Sequence, residues 1–148
     1  MTKQKSSGFT VLELVLVIVI LSIVAFAVFV KTPGISVNLD AQAARLANDI
    51  RYTQNLAMAR NQRYRIVFDT ETSSYTIQDG AGNTDYSVTL GSGTTLTTPL
   101  AMVIFNNKGT PYSDDTTPLS STVTISLTSG EATSFVVITP DTGRVTTS

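Results

Sequence analysis

Glu13 is the only charged residue in an apolar stretch that runs from Phe9 to Val30. A carboxylate surrounded by lipid or by protein interior is costly unless it has a partner or a function. Gly8 stands at the boundary between the polar N-terminal residues and this stretch. If the chain is cut after Gly8, Phe9 gains a free α-amine. On one helix this ammonium group can pair with the Glu13 carboxylate of the next, which would offset the desolvation cost and set the stagger between subunits.

Two other interpretations of this stretch remain open. The first is a simple signal anchor. The second is a removable signal peptide, for which the small residues of Ala25-Phe26-Ala27 offer a cleavage site. The stretch is long for the apolar region of a signal peptide, and such a region would not carry a carboxylate. Neither alternative gives Glu13 a role.

The remaining residue types exclude much of enzyme chemistry. The 148 residues include no cysteine and no histidine, so the chain lacks thiolate ligands, disulfides and the commonest general base. No serine or threonine stands in a pattern that would activate it as a nucleophile. We therefore predict a protein that is not an enzyme, with no catalytic residues, no metal site and no cofactor.

The apolar stretch has the dimensions of a membrane span. Its 22 residues would form a helix of roughly 33 Å, which matches a hydrocarbon core of roughly 30 Å. Its 17 Leu, Ile, Val and Phe residues contribute roughly −7 kcal/mol to insertion, against about +3 kcal/mol for Glu13. Lys3 and Lys5 precede the stretch and only Lys31 follows it closely, so we expect the N-terminus in the cytoplasm.

Helical periodicity returns after a break at Thr32-Pro33-Gly34. An apolar or small residue recurs every three or four positions, which predicts an amphipathic helix with one buried face. The stripe is thin and rich in alanine, so it needs a sheet to cover it. Its members are Leu39, Ala43, Leu46, Ile50, Thr53 and Ala57.

From about residue 63, apolar residues recur at every second position, which predicts β-strands. The strands are short and the turns between them are tight, so we expect antiparallel pairing. The predicted turns lie at 69–72, 79–83, 106–109, 129–131 and 141–143. The predicted strands lie at 65–68, 74–77, 86–90, 103–105, 122–127 and 135–138, followed by one short strand at the end.

The N-terminal residues resemble a type IV prepilin signal. Lys5-Ser6-Ser7-Gly8-Phe9-Thr10-Val11-Leu12-Glu13-Leu14 has Gly, Phe, Thr, Glu and Leu at the spacing of that family. The resemblance implies that a prepilin peptidase cleaves between Gly8 and Phe9 and methylates the new N-terminus. It also implies that Glu13 acts in assembly, and that the partners are other pilins, contacted through the N-terminal helix, and an inner-membrane assembly platform.

The later residues resemble the GspH/FimT class of minor pilins and pseudopilins. The resemblance rests on the segments 44–51 and 57–61, on a strand ending in Phe68-Asp69, and on a C-terminal pairing of 136–138 with 140–145. It implies an α+β fold in which a long N-terminal helix, half transmembrane and half amphipathic, packs on an antiparallel β-domain. The expected parts are a leader at 1–8, a transmembrane helix at 9–30, an extracytoplasmic amphipathic helix at 31–62 and a β-rich domain at 63–148.

The resemblance implies a structural subunit of a type IV pilus or of a type II secretion pseudopilus. Such a subunit is expected to be a single-pass protein of the bacterial inner membrane with a periplasmic C-terminal domain, and to join the filament when assembled. Two alternatives remain: a DNA-binding FimT-like minor pilin for natural transformation, and a signal-anchored periplasmic β-domain with no filament role.

Four arginines are the candidates for contact with nucleic acid. Arg60, Arg63 and Arg65 cluster where the helix meets the first strand, and Arg144 follows the last turn. The resemblance implies that some FimT-like relatives bind DNA through a basic Gly-Arg-x-Arg-type tail after the last strand, whereas in this chain Gly143-Arg144-Val145 is followed by uncharged residues. One arginine supplies about one phosphate contact, so we expect DNA binding to be weak or absent. The alternative is that the cluster pairs with Asp69, Glu71 or a neighbouring subunit.

Two acidic loops contain possible cation ligands, but their residues favour solvated turns. The loop 79–85 has oxygen ligands at the first, fifth and seventh positions of a calcium-loop spacing, but it lacks the third and the bidentate twelfth. Asp114-Asp115 lies between Pro111 and Pro118 and predicts an exposed loop in the same way.

The predicted processing can be tested on protein extracted from the membrane. Mass spectrometry should find Phe9 at the N-terminus with one added methyl group. An intact Met1 would favour the simple anchor, and a chain starting at Val28 would favour the secreted form.

Overall fold

The computed structural model describes residues 10–29 and 34–148. The chain divides into two compact units, Met1–Pro33 and Gly34–Ser148. Gly8 and Phe9, the predicted cleavage pair, lie outside the described residues. Across the residues that are described, no helix combines the length and the apolarity required to cross a membrane. The predicted span at 9–30 includes residues outside that range and stays a prediction.

Each unit contains one described helix. Helix α1 runs from Val11 to Phe29, and helix α2 runs from Gly34 to Ala59. In α2 the predicted stripe is confirmed, because all of its members are buried and Ala47 joins them. The helix ends just before Asn61, which takes a left-handed backbone conformation with φ of 52°. Asparagine adopts this conformation more readily than most residues.

Residues 64–147 form nine strands arranged in two antiparallel sheets. The five-stranded sheet has the order β3-β2-β1-β5-β6, and the four-stranded sheet has the order β4-β7-β8-β9. The strands are β1 (Tyr64–Asp69), β2 (Ser74–Asp79), β3 (Thr84–Thr89), β4 (Thr95–Thr97), β5 (Met102–Phe105), β6 (Pro111–Tyr112), β7 (Val123–Ser129), β8 (Ala132–Ile138) and β9 (Val145–Thr147).

Seven of these strands are those that the alternation predicted, and the antiparallel α+β fold class is confirmed. Strands β4 and β6 were not predicted. They contain three and two residues, too few for a period-two pattern to be recognised. Their pairing depends on β7 and β5, which lie elsewhere in the chain.

In three of the predicted turns, 69–72, 79–83 and 106–109, a side chain accepts hydrogen bonds from backbone N–H groups. The Asp69 carboxylate accepts hydrogen bonds from the backbone N–H groups of Glu71 and Thr72 at 2.9 and 3.1 Å. Hydrogen bonding to Thr72 holds the pKa of Asp69 below its usual value. Gly130, in the two-residue link between β7 and β8, has φ of 60°, which favours glycine.

The buried face of α2 contacts strands of both sheets: β1 and β5 of the first, and β7, β8 and β9 of the second. Leu46, Ile50 and Ala57 have no exposed surface. Thr53 is equally buried, and its hydroxyl donates to the carbonyl oxygen of Asp49 at 2.8 Å, so the polar group does not remain unsatisfied. The prediction that a sheet covers this face is confirmed, and the structure adds that two sheets share the helix as a core element.

A polar network fixes one side of α2 to the five-stranded sheet. The Tyr75 hydroxyl donates to Asp49 Oδ2 at 2.6 Å, and Arg45 donates to the Tyr86 hydroxyl at 2.5 Å. Burial, aided by the bond to Asp49, raises the pKa of Tyr75 well above its ordinary value. The phenol therefore remains a donor throughout the physiological pH range.

Gln54 fixes the other side of α2 to two loops. Its Nε2 donates to the carbonyl oxygens of Gly109 at 2.8 Å and Thr142 at 2.9 Å. Gly143 lies against the Gln54 amide: a Cβ atom at this position would stand only 2.7 Å from Gln54 Nε2. Its φ of 63° also favours glycine. One amide group thus holds the β5–β6 and β8–β9 connections together.

Replacement of Gln54 by alanine should lower the free energy of unfolding of residues 34–148 by about 1–2 kcal/mol, because two carbonyl groups lose their donor. Urea denaturation followed by circular dichroism measures this. Asn55→Ala is the matched control: that residue lies exposed on the same helix, and its replacement should not lower the stability by more than about 0.5 kcal/mol. Equal effects of the two substitutions would contradict the assigned role of Gln54.

Candidate assembly site and basic surface

Helix α1 begins with a side-chain cap that was not predicted from the sequence. Thr10 Oγ1 accepts a hydrogen bond from the backbone N–H of Glu13 at 3.2 Å. The Thr10 carbonyl oxygen accepts from Glu13 and Leu14 at 3.1 and 3.2 Å. Thr-x-x-Glu immediately before an apolar run is a recognised signal for a helix start, so Thr10-Val11-Leu12-Glu13 could have been identified from the residue types alone.

The position of the cap places Glu13 in the first turn of the helix, where the backbone dipoles favour a negative charge. With Thr10 as the capping residue, Glu13 is the third residue of the helix and lies in its first turn. Unpaired N–H groups give that end a partial positive charge, which favours a carboxylate there. Glu13 is exposed on α1 and so is accessible to a group on another molecule.

From Val11 to Leu21, the surface of α1 around Glu13 is apolar and exposed. Ten large apolar side chains between Val11 and Leu21 are each 44–81% exposed. A continuous apolar surface of this extent requires lipid or a protein partner. Ser22, which follows them, adds little polarity, because its hydroxyl donates to the Ile18 carbonyl oxygen at 2.7 Å within the same helix.

Two of the four candidate arginines hold the junction between α2 and β1. Arg60 donates to the Tyr64 hydroxyl at 2.9 Å and lies 5.8 Å from the centre of that ring. Arg63 forms an ion pair with Asp115 at 3.6 Å, donates to the Asp115 carbonyl oxygen and lies 5.3 Å from the centre of the Tyr112 ring.

The alternative for this cluster is a pairing with Asp69, Glu71 or a neighbouring subunit, and within the chain Arg63 pairs with Asp115 instead of Asp69 or Glu71. Asp69 is instead occupied by the N–H groups of its own turn. Asp115 lies 52 residues after Arg63, and only the return of the chain through β6 and the loop that follows it brings the two together.

The other two arginines lie apart from one another. Arg65 on β1 donates to the Gly80 carbonyl oxygen at 3.0 Å, whereas Arg144 lies exposed in the β8–β9 connection of the second sheet. Three of the four guanidinium groups are thus engaged within the chain. Their role in contact with nucleic acid stays a prediction.

Both acidic loops are turns closed by their own carboxylates. Asp79 accepts hydrogen bonds from Ala81 and Asn83, and bonding to Asn83 lowers the pKa of Asp79. Asp114 accepts from the backbone N–H groups of Thr116 and Thr117 at 2.8 Å, which lowers the pKa of Asp114 to about 2. Within 10–29 and 34–148, no group of three or more acidic side chains is placed to hold a metal ion.

The fold and the first helix together define a class of protein. A helix that packs against two small antiparallel sheets, in a chain that also carries an exposed apolar helix, is the pilin-like architecture. The structure is similar to the type IV minor pilin FimU of Pseudomonas aeruginosa, with a TM-score of 0.60 over 74% of this chain and 87% of that chain, at 14% identity. It is also similar to the minor pseudopilin EpsH from the type II secretion system of Vibrio cholerae, with a TM-score of 0.59 over 76% and 94% of the two chains, at 13% identity.

Two segments of the chain match known sequence families. Residues 3–29 match the prokaryotic N-terminal methylation motif, and residues 42–143 match the type II transport protein GspH family. The chain is 35% identical over 110 residues to the competence protein ComGD of Bacillus subtilis (strain 168), a match that covers 73% of this chain and 76% of that protein. The chain belongs to the GspH family of pilin-like proteins, and it is a minor pilin or pseudopilin subunit. The resemblance derived from the sequence is confirmed.

We predict that residues 34–148 do not bind duplex DNA at about 0.15 M salt. This part of the chain carries seven basic and ten acidic side chains, a formal charge of −3, and the arginines of the 60–65 cluster are engaged internally. Phosphate contacts supply most non-specific affinity, and few are available here. Elution from immobilised DNA across a salt gradient measures this. Retention above about 0.15 M that is lost on Arg60→Gln would show that the DNA-binding alternative is correct.

Proposed function

We propose that this chain is cut between Gly8 and Phe9, methylated at Phe9, and incorporated into a filament through an ion pair between its own Glu13 and the N-terminal amine of a neighbouring subunit. The observation that carries the proposal is the position of Glu13. It is the one carboxylate on a helix whose other side chains from Val11 to Leu21 are all apolar and exposed.

The chemistry supports a partner on another molecule. An amine at residue 9 and a carboxylate at residue 13 of the next helix both lose hydration when the helices pack, and only their mutual attraction offsets that loss. Until then, the helix N-terminus favours the carboxylate of Glu13. On assembly, the apolar surface of α1 leaves lipid and packs against other helices. Because both environments are apolar, this transfer costs little free energy.

The subunit would reach the filament in three steps: storage in the membrane, removal of the leader, and transfer to other pilins. The first helix holds the subunit in the membrane with its N-terminus in the cytoplasm and the residues from Gly34 onward on the outer side. A prepilin peptidase removes residues 1–8, and an assembly platform in the membrane transfers the subunit to other pilins. The pilin-like class consists of structural subunits, and we propose that this chain likewise catalyses no reaction.

Among the filaments that use such subunits, we favour one that serves competence. The 35% identity to ComGD, a competence protein, exceeds the 13–14% identity to the pilus and secretion subunits of similar fold. In this proposal the filament as a whole serves DNA uptake, while this subunit contributes structure. A role as an anchored domain outside any filament is not favoured, because it leaves Glu13 and the methylation motif unexplained.

Substitution of Glu13 tests the proposal. In Glu13→Leu the neighbouring amine would be buried without a partner, which typically costs about 3–5 kcal/mol. The amount of this subunit in sheared filaments should therefore fall at least roughly tenfold. Leucine makes the segment more apolar, so weaker membrane insertion cannot account for the loss.

Glu71→Gln, an exposed substitution in the β1–β2 turn, serves as the control and should leave incorporation unchanged. Quantitative immunoblotting of membrane and filament fractions separates retention from assembly. Incorporation of Glu13→Leu at the level of the unaltered protein would refute the ion pair as the determinant of assembly.

A further inference from the structure

A groove runs between α2 and the edge strand β3, and nothing in the proposed assembly through α1 uses it. It has a volume of about 400 Å³ and is lined by Asp49 and Tyr52 from the helix and by Asp85 and Tyr86 from the strand. The helix and the strand each supply one carboxylate and one tyrosine, so both walls of the groove have the same chemistry.

The exposure of the tyrosines is unusual for this unit. Tyr52 is 52% exposed and Tyr86 is 40% exposed. Among the described residues from 38 to 148, only Met58 and Phe135 are large apolar or aromatic side chains of comparable exposure. Two half-exposed rings that line one groove are a typical site of protein contact, because tyrosine combines a large apolar area with a polar hydroxyl.

The charges of the groove restrict what can occupy it. Asp49 and Asp85 contribute two negative charges, and Arg45 at the margin contributes one positive charge. Arg45 is already held by the Tyr86 hydroxyl and lies 4.0 Å from Asp49. The groove therefore retains one net negative charge, centred on Asp85, which is exposed on the edge strand.

This charge disfavours phosphate groups of nucleic acid and anionic lipid headgroups as occupants. Two carboxylates, of which Asp49 already accepts a hydrogen bond from Tyr75, are too few for the six to eight oxygen ligands of calcium. A charge at a sheet edge commonly prevents edge-to-edge pairing, which alone would explain Asp85. It does not explain two exposed tyrosines beside it, whereas a cationic side chain would contact the rings and the carboxylate together.

We propose that this groove receives the lysine or arginine side chain of a neighbouring pilin subunit, and that the contact fixes the orientation of the globular unit in the filament. The inference rests on the proposed function, since it requires that the chain is assembled with other pilins. The elements that form the groove are held firmly: Asp49 by Tyr75, and Tyr86 by Arg45.

A photo-crosslinking amino acid at Tyr52 in the full-length protein, expressed in cells that form filaments, tests the contact directly. Irradiation should give an adduct with another pilin subunit, joined within a few residues of a lysine or arginine. The same probe at Phe135, which is 40% exposed on the other sheet, measures the background. An adduct at Tyr52 no stronger than that background, or one formed only with a protein that is not a pilin, would overturn the proposal.

Charge reversal tests the chemistry of the contact. Asp85→Lys should lower the share of this subunit in filaments about two- to fivefold, the range expected when a partly exposed ionic and cation–π contact is lost. Glu131→Lys makes the same charge change in the exposed β7–β8 turn and should have no effect. Replacing the basic residue identified by crosslinking with aspartate should restore the incorporation of Asp85→Lys. Equal incorporation of the two lysine variants, or failure of the exchange to restore it, would overturn the proposal.

The two proposals fail in different ways. If the unaltered chain is absent from filaments, the proposed function is wrong. If the unaltered chain is present, its N-terminus is Phe9, and both groove experiments give the background result, then only the groove assignment is wrong.

Discussion

Burial of one face of α2 against both sheets is the interaction on which the globular unit depends. Each sheet contributes strands to that contact, and Leu46 and Ile50 lie at zero exposure within it. Burying each such side chain contributes about 1.5–3 kcal/mol, a large share of what is available to a unit this small. Neither sheet alone has more than five strands, so the helix serves as the common core of two thin layers.

The two helices use apolar residues in opposite ways. In α2 the apolar face is covered by strands of the same chain, and the polar atoms near it are satisfied by groups such as the Asp49 carbonyl oxygen and the Tyr75 hydroxyl. In α1 the apolar side chains from Val11 to Leu21 are exposed, and the one carboxylate among them, Glu13, lies at the helix N-terminus, whose partial positive charge favours it. One unit is thus complete by itself, whereas the other requires lipid or neighbouring subunits. This division suits a subunit that is stored in a membrane and later built into a filament.

Polar contacts between residues distant in the chain determine which charges the surface presents. Arg63 and Arg65 bond to Asp115 and Gly80, so the charges that would attract phosphate are directed toward loops of the same chain. At one edge of the first sheet, strand β3 and helix α2 form a groove that is acidic and aromatic. The surface therefore favours basic protein partners over nucleic acid.

The features that depend on local periodicity and on residue type were determined by the sequence alone. The 3.6-residue stripe of α2, seven of the nine strands in residues 64–147, the turns at Asp69 and Asp79 and the prepilin-like segment around Glu13 all follow from neighbouring residues. The Thr10 cap was equally local and could have been identified. Only the tertiary structure decided the strand order, the two shortest strands, the Arg63–Asp115 pair and the groove between α2 and β3. These features join residues that are distant in the chain, and periodicity carries no information about which distant elements become neighbours once the core is buried.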